Sequence, residues 1–352
     1  MKQYIFILLT ALLLVSCETK IGEFVDYESP RLVVNALITA GGENQQLRIH
    51  KTGLTTPELV KGADISIAVN GNEIFSQVSN GEDSLLIVQN DIRPGDLVTI
   101  SAKKDNMLAT ASVEVPQPVI ITGIDTMMVN VKQNSWSNEI YPHTRYMVHL
   151  RLPDTAQKDI QYFRVEVEKY VFTPAIMSND SEAHRYKIDC LRIEDDHSKF
   201  MHTYDPALSE TENVDQEGFE VSIDWMEGVE NMYHVFRSTF FENGEYTLHL
   251  DLPRQWWWEN REMGGWDQHV RIRIYSIPKI EYHYLQALSA AKYYERDIIN
   301  NGEPMIPTNI KGGAGIFCVE SMAEITFHED HFITPLSDEA IEYHEEFIRN
   351  NY

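Results

Sequence analysis

Positive charge is what this sequence has least of. Lys and Arg total 29 against 54 Asp and Glu, a formal net charge of −25 over 352 residues. Such a surface repels phosphate backbones, so nucleic acid is not an expected partner. It also repels an anionic leaflet, so charge alone cannot hold the chain to a membrane. Cysteine is scarce too, at three residues. Long apolar runs are missing beyond the first twenty residues, and no later segment approaches transmembrane length. Several catalytic and ligand signatures are absent. The glycine run Gly312-Gly313-Ala314-Gly315 lacks the Gly-Lys-Ser/Thr end of a phosphate loop, and Cys318 stands where a dinucleotide fingerprint needs glycine. No Gly-x-Ser-x-Gly and no calcium-type Asp-x-Asp-x-Asp-Gly loop occurs.

What is present begins at the N-terminus. Met1-Lys2-Gln3 is a short basic start, and Tyr4 to Val15 is an apolar run too short for a mature membrane span. It ends in Leu14-Val15-Ser16-Cys17, which has the form of a bacterial lipobox. The expectation is a signal peptide over 1–16, lipidation of Cys17 and a polar tether over 17–29. Lipid chains supply the anchoring that charge cannot, at about 0.8 kcal/mol per buried methylene. Cys190 and Cys318 then remain, both in strand-like contexts, and outside the cytoplasm they could form one disulfide or stay as buried thiols.

The body of the chain reads as two β-rich blocks. Arg31 to Ile38, the alternation of Ala63, Ile65, Ile67 and Val69, Leu85 to Val88, Leu97 to Ala102 and Leu108 to Val115 are short strands separated by turn chemistry. Asn70-Gly71 marks a tight hairpin. This spacing predicts a β-sandwich over 30–116, closed by Pro116-Gln117-Pro118. A second block, 117–352, carries strands at Val119 to Ile124, Tyr146 to Leu152, Phe163 to Val167, Tyr186 to Cys190, Phe219 to Ile223, Tyr246 to Leu250 and Val270 to Tyr275. The period then changes. Tyr284, Leu288, Ala291, Tyr294 and Ile298 form one apolar stripe on a helix over about 281–299. A short terminal helix is expected after Ser337.

Candidate chemistry is thin. Trp256, Trp257, Trp258 and Trp266 form an aromatic cluster that could stack on a glycan or a partner protein, or could face the core. His328-Glu329-Asp330-His331 misses the His-Glu-x-x-His spacing, reads as a solvated polar turn, and would split its histidines between two faces on a strand. Asp195-Asp196-His197 reads the same way. No catalytic residue, metal or cofactor is expected. The glycine run reads as positive-φ positions and a bulge that steer the chain from a helix into a core strand.

With these residues in view, the chain resembles DUF4249, an uncharacterised lipoprotein family of Bacteroidetes. The resemblance rests on the lipobox, on Arg31 to Ile38, on Val235-Phe236 with Phe240-Phe241-Glu242-Asn243-Gly244, and on Pro304, Asn309, Gly312, Gly313, Gly315 and Phe317. Arg237 stands where that family usually has an acid. The resemblance implies an immunoglobulin-like N-terminal domain, a larger β-rich C-terminal domain, and an accessory role beside a TonB-dependent outer-membrane receptor. It supplies no catalytic residues. Asp83-Ser84-Leu85, Asp125-Thr126-Met127 and Asp154-Thr155-Ala156 also resemble the O-glycosylation consensus of Bacteroidetes. The leading expectation is a non-catalytic, surface-exposed outer-membrane lipoprotein that binds a ligand or a receptor, with the periplasmic face as the other placement. The alternatives are a glycan- or peptide-active hydrolase and an adhesive lipoprotein. If the tryptophans form a platform, changing them singly to Ala weakens measured ligand binding for at least one position; unchanged binding in all four variants sinks that reading.

Overall fold

A computed structural model describes residues 30–53, 56–82, 85–89, 91–132, 140–176, 186–191, 205–209, 231–253, 265–294 and 306–332. The fold is mainly β. The first block contains β1 (Leu32–Thr39), β2 (Glu43–Lys51), β3 (Glu58–Leu59), β4 (Lys61–Val69), β5 (Asn72–Asn80), β6 (Leu85–Gln89), β7 (Leu97–Lys104) and β8 (Met107–Glu114). Period-2 alternation forms these strands. Leu32, Val34, Ala36 and Ile38 of β1 are buried while their neighbours are half-exposed. Asn70 and Gly71 both have positive φ, 51° and 83°, the conformation of a two-residue hairpin whose twist matches its strands.

β1, β2 and β6 lie on one side, and β5-β4-β7-β8 form a four-stranded sheet on the other. Their inner faces share one core that includes Leu47, Ile49, Ile65, Ile67, Val98 and Ile100. Two layers divided in this way make an immunoglobulin-like sandwich, in which β6 leaves the β4–β5 hairpin to pair with β2 in the opposite layer.

The second block contains β9 (Ile120–Lys132), β10 (Ile140–Arg151), β11 (Tyr162–Ile176), β12 (Tyr186–Leu191), the single-turn α1 (Pro206–Ser209), β13 (Val235–Arg237), β14 (Glu245–Pro253), β15 (Gly265–Ile277), α2 (Lys279–Tyr294) and β16 (Ala314–Phe332). β14-β10-β9 form a three-stranded sheet. Its Tyr146, Val148, Leu150, Leu248 and Leu250 pack against Phe163, Val165, Val167, Val270, Ile272 and Ile274 of β11 and β15. α2 covers the other face of β11 and β15: Tyr282 and Leu285 are buried with Tyr275 and Ile277, and Tyr162, Tyr284 and Leu288 pack around them. The expected stripe is therefore only partly the packed one, because the helix starts at Lys279 and seats its first turns most deeply. The terminal helix, the strand at Phe219 to Ile223 and the segment 1–29 fall outside the described residues.

β16 joins the blocks. Ala314 to Glu320 pair in parallel with Val33 to Thr39 of β1. From Ser321 to Phe332 the same strand pairs antiparallel with β15. Phe317 and Val319 enter the first core, whereas Ala323, Ile325 and Phe327 pack against the second. Pro116-Gln117-Pro118 lies between β8 and β9. It is held there by Ser321 Oγ donating to the Pro116 carbonyl at 2.8 Å, and the Val119 N–H donates to Ser276 Oγ at 3.0 Å.

The glycine run is the entry to β16. Lys311 bridges to Thr110 of β8 through backbone hydrogen bonds of 2.7 and 3.0 Å. The Asn309 amide clamps Phe317, donating to its carbonyl at 2.6 Å and accepting from its N–H at 3.0 Å. Gly315 has φ +95°, and a Cβ there would overlap the Val34 carbonyl oxygen. Only glycine permits both the left-handed backbone and this approach to β1. Gly315→Ala should therefore lower unfolding free energy by about 3 kcal/mol or more. Urea denaturation of the full chain tests this; a loss within experimental error of zero would contradict the packing described.

Candidate functional site

The outward face of the three-stranded sheet carries an open cleft. It forms where β9 and β10 slip register between His149 and Leu150, which leaves Thr122 as an extra, bulged residue. A bulge adds twist and re-aims neighbouring side chains. Thr122 Oγ1 donates to the His149 carbonyl at 3.2 Å and so fixes the bulge. Across β10, His149 faces Thr247 of β14 in register. The imidazole sits over Gly123 and makes two hydrogen bonds, Nδ1 with Thr247 Oγ1 at 3.0 Å and Nε2 with Asp125 Oδ2 at 2.9 Å. Three strands are thus tied by one ring.

The opposite wall comes from the segment before β14. Ser238–Phe240 form one 3-10 turn, and Asn243-Gly244 follow with φ 52° and 80° as a two-residue hairpin turn. Glu242 and Glu245 exchange both backbone hydrogen bonds across that turn. The Leu152 N–H donates to the Gly244 carbonyl at 2.8 Å and locks the turn onto the end of β10. The space enclosed by Thr122, His149, Phe240, Glu242, Asn243, Glu245, Tyr246 and Thr247 is about 640 Å³. That volume lies within the range of small-ligand sites.

Behind β14 sits a second fixed group. Asp205 is fully buried and accepts from Tyr246 Oη at 2.6 Å, from the His249 N–H at 2.8 Å and from the Ala207 N–H at 2.9 Å. It satisfies the exposed edge of β14 and orients the Tyr246 ring beside the cleft.

A different polar cluster lies under α2, with Glu281 and Glu320 at its buried centre. Arg164 donates to both Glu320 oxygens at 3.0 and 2.9 Å, pairs with Glu166, and stacks 4.1 Å from the centroid of the Tyr275 ring. Burial disfavours its charge, but Glu320, Glu166 and Glu281 outweigh that and raise its pKa. Glu281 is fully buried, and its oxygens lie close to the Glu320 carboxylate and the Cys318 thiol without a well-aligned bond to either. Burial, then repulsion from Glu320, pushes Glu281 well above the usual carboxylate range. Burial likewise raises the Cys318 thiol, followed by the two carboxylates. Farther along the same face, Arg273 bridges Glu168 at 2.7 Å and Glu324 at 2.8 Å across three strands. These groups join helix to sheet and strand to strand.

The sequence-level candidates are placed as follows. Trp256, Trp257, Trp258, Pro304, Cys17, Asp195, Asp196 and His197 lie outside the described residues, and Trp266 is a β15 residue opposite His331. The polar-turn reading of His328 to His331 is corrected: both histidines belong to β16. His328 is opposite His269, and the two rings stack at 4.3 Å. The pairing of Cys190 with Cys318 is also corrected, since Cys318 is a free, buried thiol. Cys190 sits on β12, three strands from β16, and in register with Asp330 through Phe172 and Asp267. The separation along β16 from Asp330 to Cys318 is then about 40 Å at roughly 3.3 Å per residue, far beyond disulfide reach. Of the glycosylation-like sites, Thr126 and Thr155 are exposed, while Asp83 and Ser84 lie outside the described residues. Among the described residues no cluster of His, Cys, Asp or Glu is arranged to hold a metal. Thr122, His149, Glu245 and Thr247 were not singled out in the sequence, because each looks like an ordinary outward position of a strand.

A raised folded-state pKa at Glu281 makes the protonated form the folded one. Stability is then greatest below the ordinary Glu pKa, and falls as pH rises toward the folded value by at most about 1.4 kcal/mol per pH unit. Glu281→Gln keeps the shape without the proton, so its urea midpoint should fall less between pH 5 and pH 9 than that of the unchanged protein. Parallel pH profiles would show that the carboxyl is not protonated in the fold.

Comparison with known proteins agrees with the resemblance. Residues 18–326 match the family model described as a domain of unknown function, DUF4249. No curated protein matches. Among solved structures, the apo structure of Bacteroides uniformis beta-glucuronidase 3 is similar over 71% of this chain, at 10% identity and a TM-score of 0.20. This chain spans 23% of that protein's length, and a likeness so slight carries no functional argument. On the family match, which takes in nearly every described strand, the chain belongs to the DUF4249 family.

Proposed function

We propose that this protein is a lipid-anchored accessory component of the outer membrane, facing the cell surface, which binds a small ligand and works beside a TonB-dependent receptor. The observation that carries the reading is the open cleft of about 640 Å³. Its wall is built by Phe240 to Gly244, one of the segments that resembles the family. The lipobox at Leu14 to Cys17 supports the anchor. The strongly negative surface supports solubility of the anchored body.

A hydrolase is the second reading, and one arrangement favours it: Asp125, His149 and Thr247 form a hydrogen-bonded acid, base and hydroxyl series at the cleft. Asp125 is 71% exposed, however, so bulk water competes for its carboxylate and weakens its hold on the imidazole. Binding without turnover is therefore the reading we adopt. Glycan or peptide turnover that is lost in Thr247→Val would reverse that choice.

The full chain, tagged at its C-terminus and expressed in its native host, should copurify with an outer-membrane receptor and be cut by protease added to intact cells. Cys17→Ala should release it from the membrane fraction. A protein that comes down alone from native membranes and resists external protease would count against both the partner and the placement.

A further inference from the structure

We propose that the cleft accepts a ligand through a cationic group, a protonated amine or a guanidinium. This inference rests on the cleft being a binding site and specifies the class of ligand. Three observations carry it. First, among the described residues no Lys or Arg lines the cleft, while Glu242 and Glu245 do. Neither carboxylate makes an ion pair, and Arg151, which faces Glu245 in the ladder, makes none either. The two carboxylates are therefore free of contact-distance ion pairs among the described residues, which favours a cation over an anion in the cleft.

Second, Phe240 and Tyr246 both border the cleft while packing against the second core, their ring centroids 6.2 Å apart and tilted by 50°. Aromatic faces beside carboxylates attract cations through the ring quadrupole. The Tyr246 hydroxyl donates to the fully buried Asp205 carboxylate at 2.6 Å. That bond draws the phenol proton toward a charge, enriches the ring in electron density and holds its plane fixed.

Third, the floor offers hydrogen bonding but no positive competitor of fixed charge. Thr247 Oγ1 and His149 are already joined to each other and to Asp125. Thr247 Oγ1 keeps a lone pair that can receive an N–H group of an ammonium or guanidinium, while both ring nitrogens of His149 are engaged, and the turn that carries Glu242 and Glu245 is held by paired backbone bonds. Little ordering is left to be done on binding. A neutral polyhydroxylated ligand would use the rings and hydroxyls without needing the two carboxylates, which makes it the competing outcome.

Isothermal titration calorimetry on the full chain, solubilised in detergent, tests this with spermidine as the cationic probe and maltotriose as the neutral one. Spermidine should bind, and weaken as salt rises from about 50 to about 500 mM. Glu242→Gln with Glu245→Gln should weaken it about tenfold or more, and Thr247→Trp, which fills the cleft, should abolish it. Thr122→Trp fills the same space from the other wall and replaces Thr247→Trp if that variant does not fold. If maltotriose binds, is lost on filling the cleft and is indifferent to the glutamine pair, the cationic class is wrong and the cleft reading stands. If neither probe binds, or if filling the cleft changes nothing, both are overturned.

Discussion

The structure depends on one strand having to bury residues in two cores. β16 runs for 19 residues, roughly 60 Å at strand rise. Its first part closes the N-terminal sandwich beside β1, and its second part completes the sheet that α2 covers. Because side chains alternate, the inward residues Phe317 and Val319 serve one core and Ala323, Ile325 and Phe327 serve the other. The outward residues Glu320 and Glu324 become anchor points for Arg164 and Arg273. A one-residue slip would exchange these sets and place carboxylates in both cores. Register is therefore fixed at the entry, by the Asn309 clamp on Phe317 and by the close approach of Gly315 to β1.

The buried charges under α2 follow from the same geometry. Once Glu320 faces away from the first core and lies beneath a helix, it needs a cation, and Arg164 on β11 supplies one. Glu281 is drawn into the same space and stays neutral. Such a layer specifies which helix face meets which strands more than it stabilises the contact.

Much of this arrangement is legible in the residues themselves. Alternation gives β1, β4, β7, β8, β14 and β15, and Asn70-Gly71 gives its hairpin. β2 is not legible, because Glu43-Asn44-Gln45-Gln46 precede its only two buried apolar residues, Leu47 and Ile49. The far half of β16 is obscured for a related reason. Its polar residues are matched across strands, Glu324 by Arg273 and His328 by His269, and no local signal announces a partner fifty residues away. The cleft is harder still. His149 and Thr247 are separated by 98 positions and meet only through the β10–β14 register. The bulge that brings Thr122 beside them is a property of two strands and is not encoded in either alone.

The pairing of Val33 with Ala314 also orders events in time. The N-terminal sandwich is made first by any process that releases the chain from its beginning, yet it lacks Phe317 and Val319 until β16 arrives. Until then β1 presents an open edge and an incomplete core to its surroundings. Contacts of such long sequence separation slow folding and prolong exposure of unpaired edges. The two blocks are therefore expected to mature together as one kinetic unit, and a chain interrupted before β16 leaves both halves unfinished.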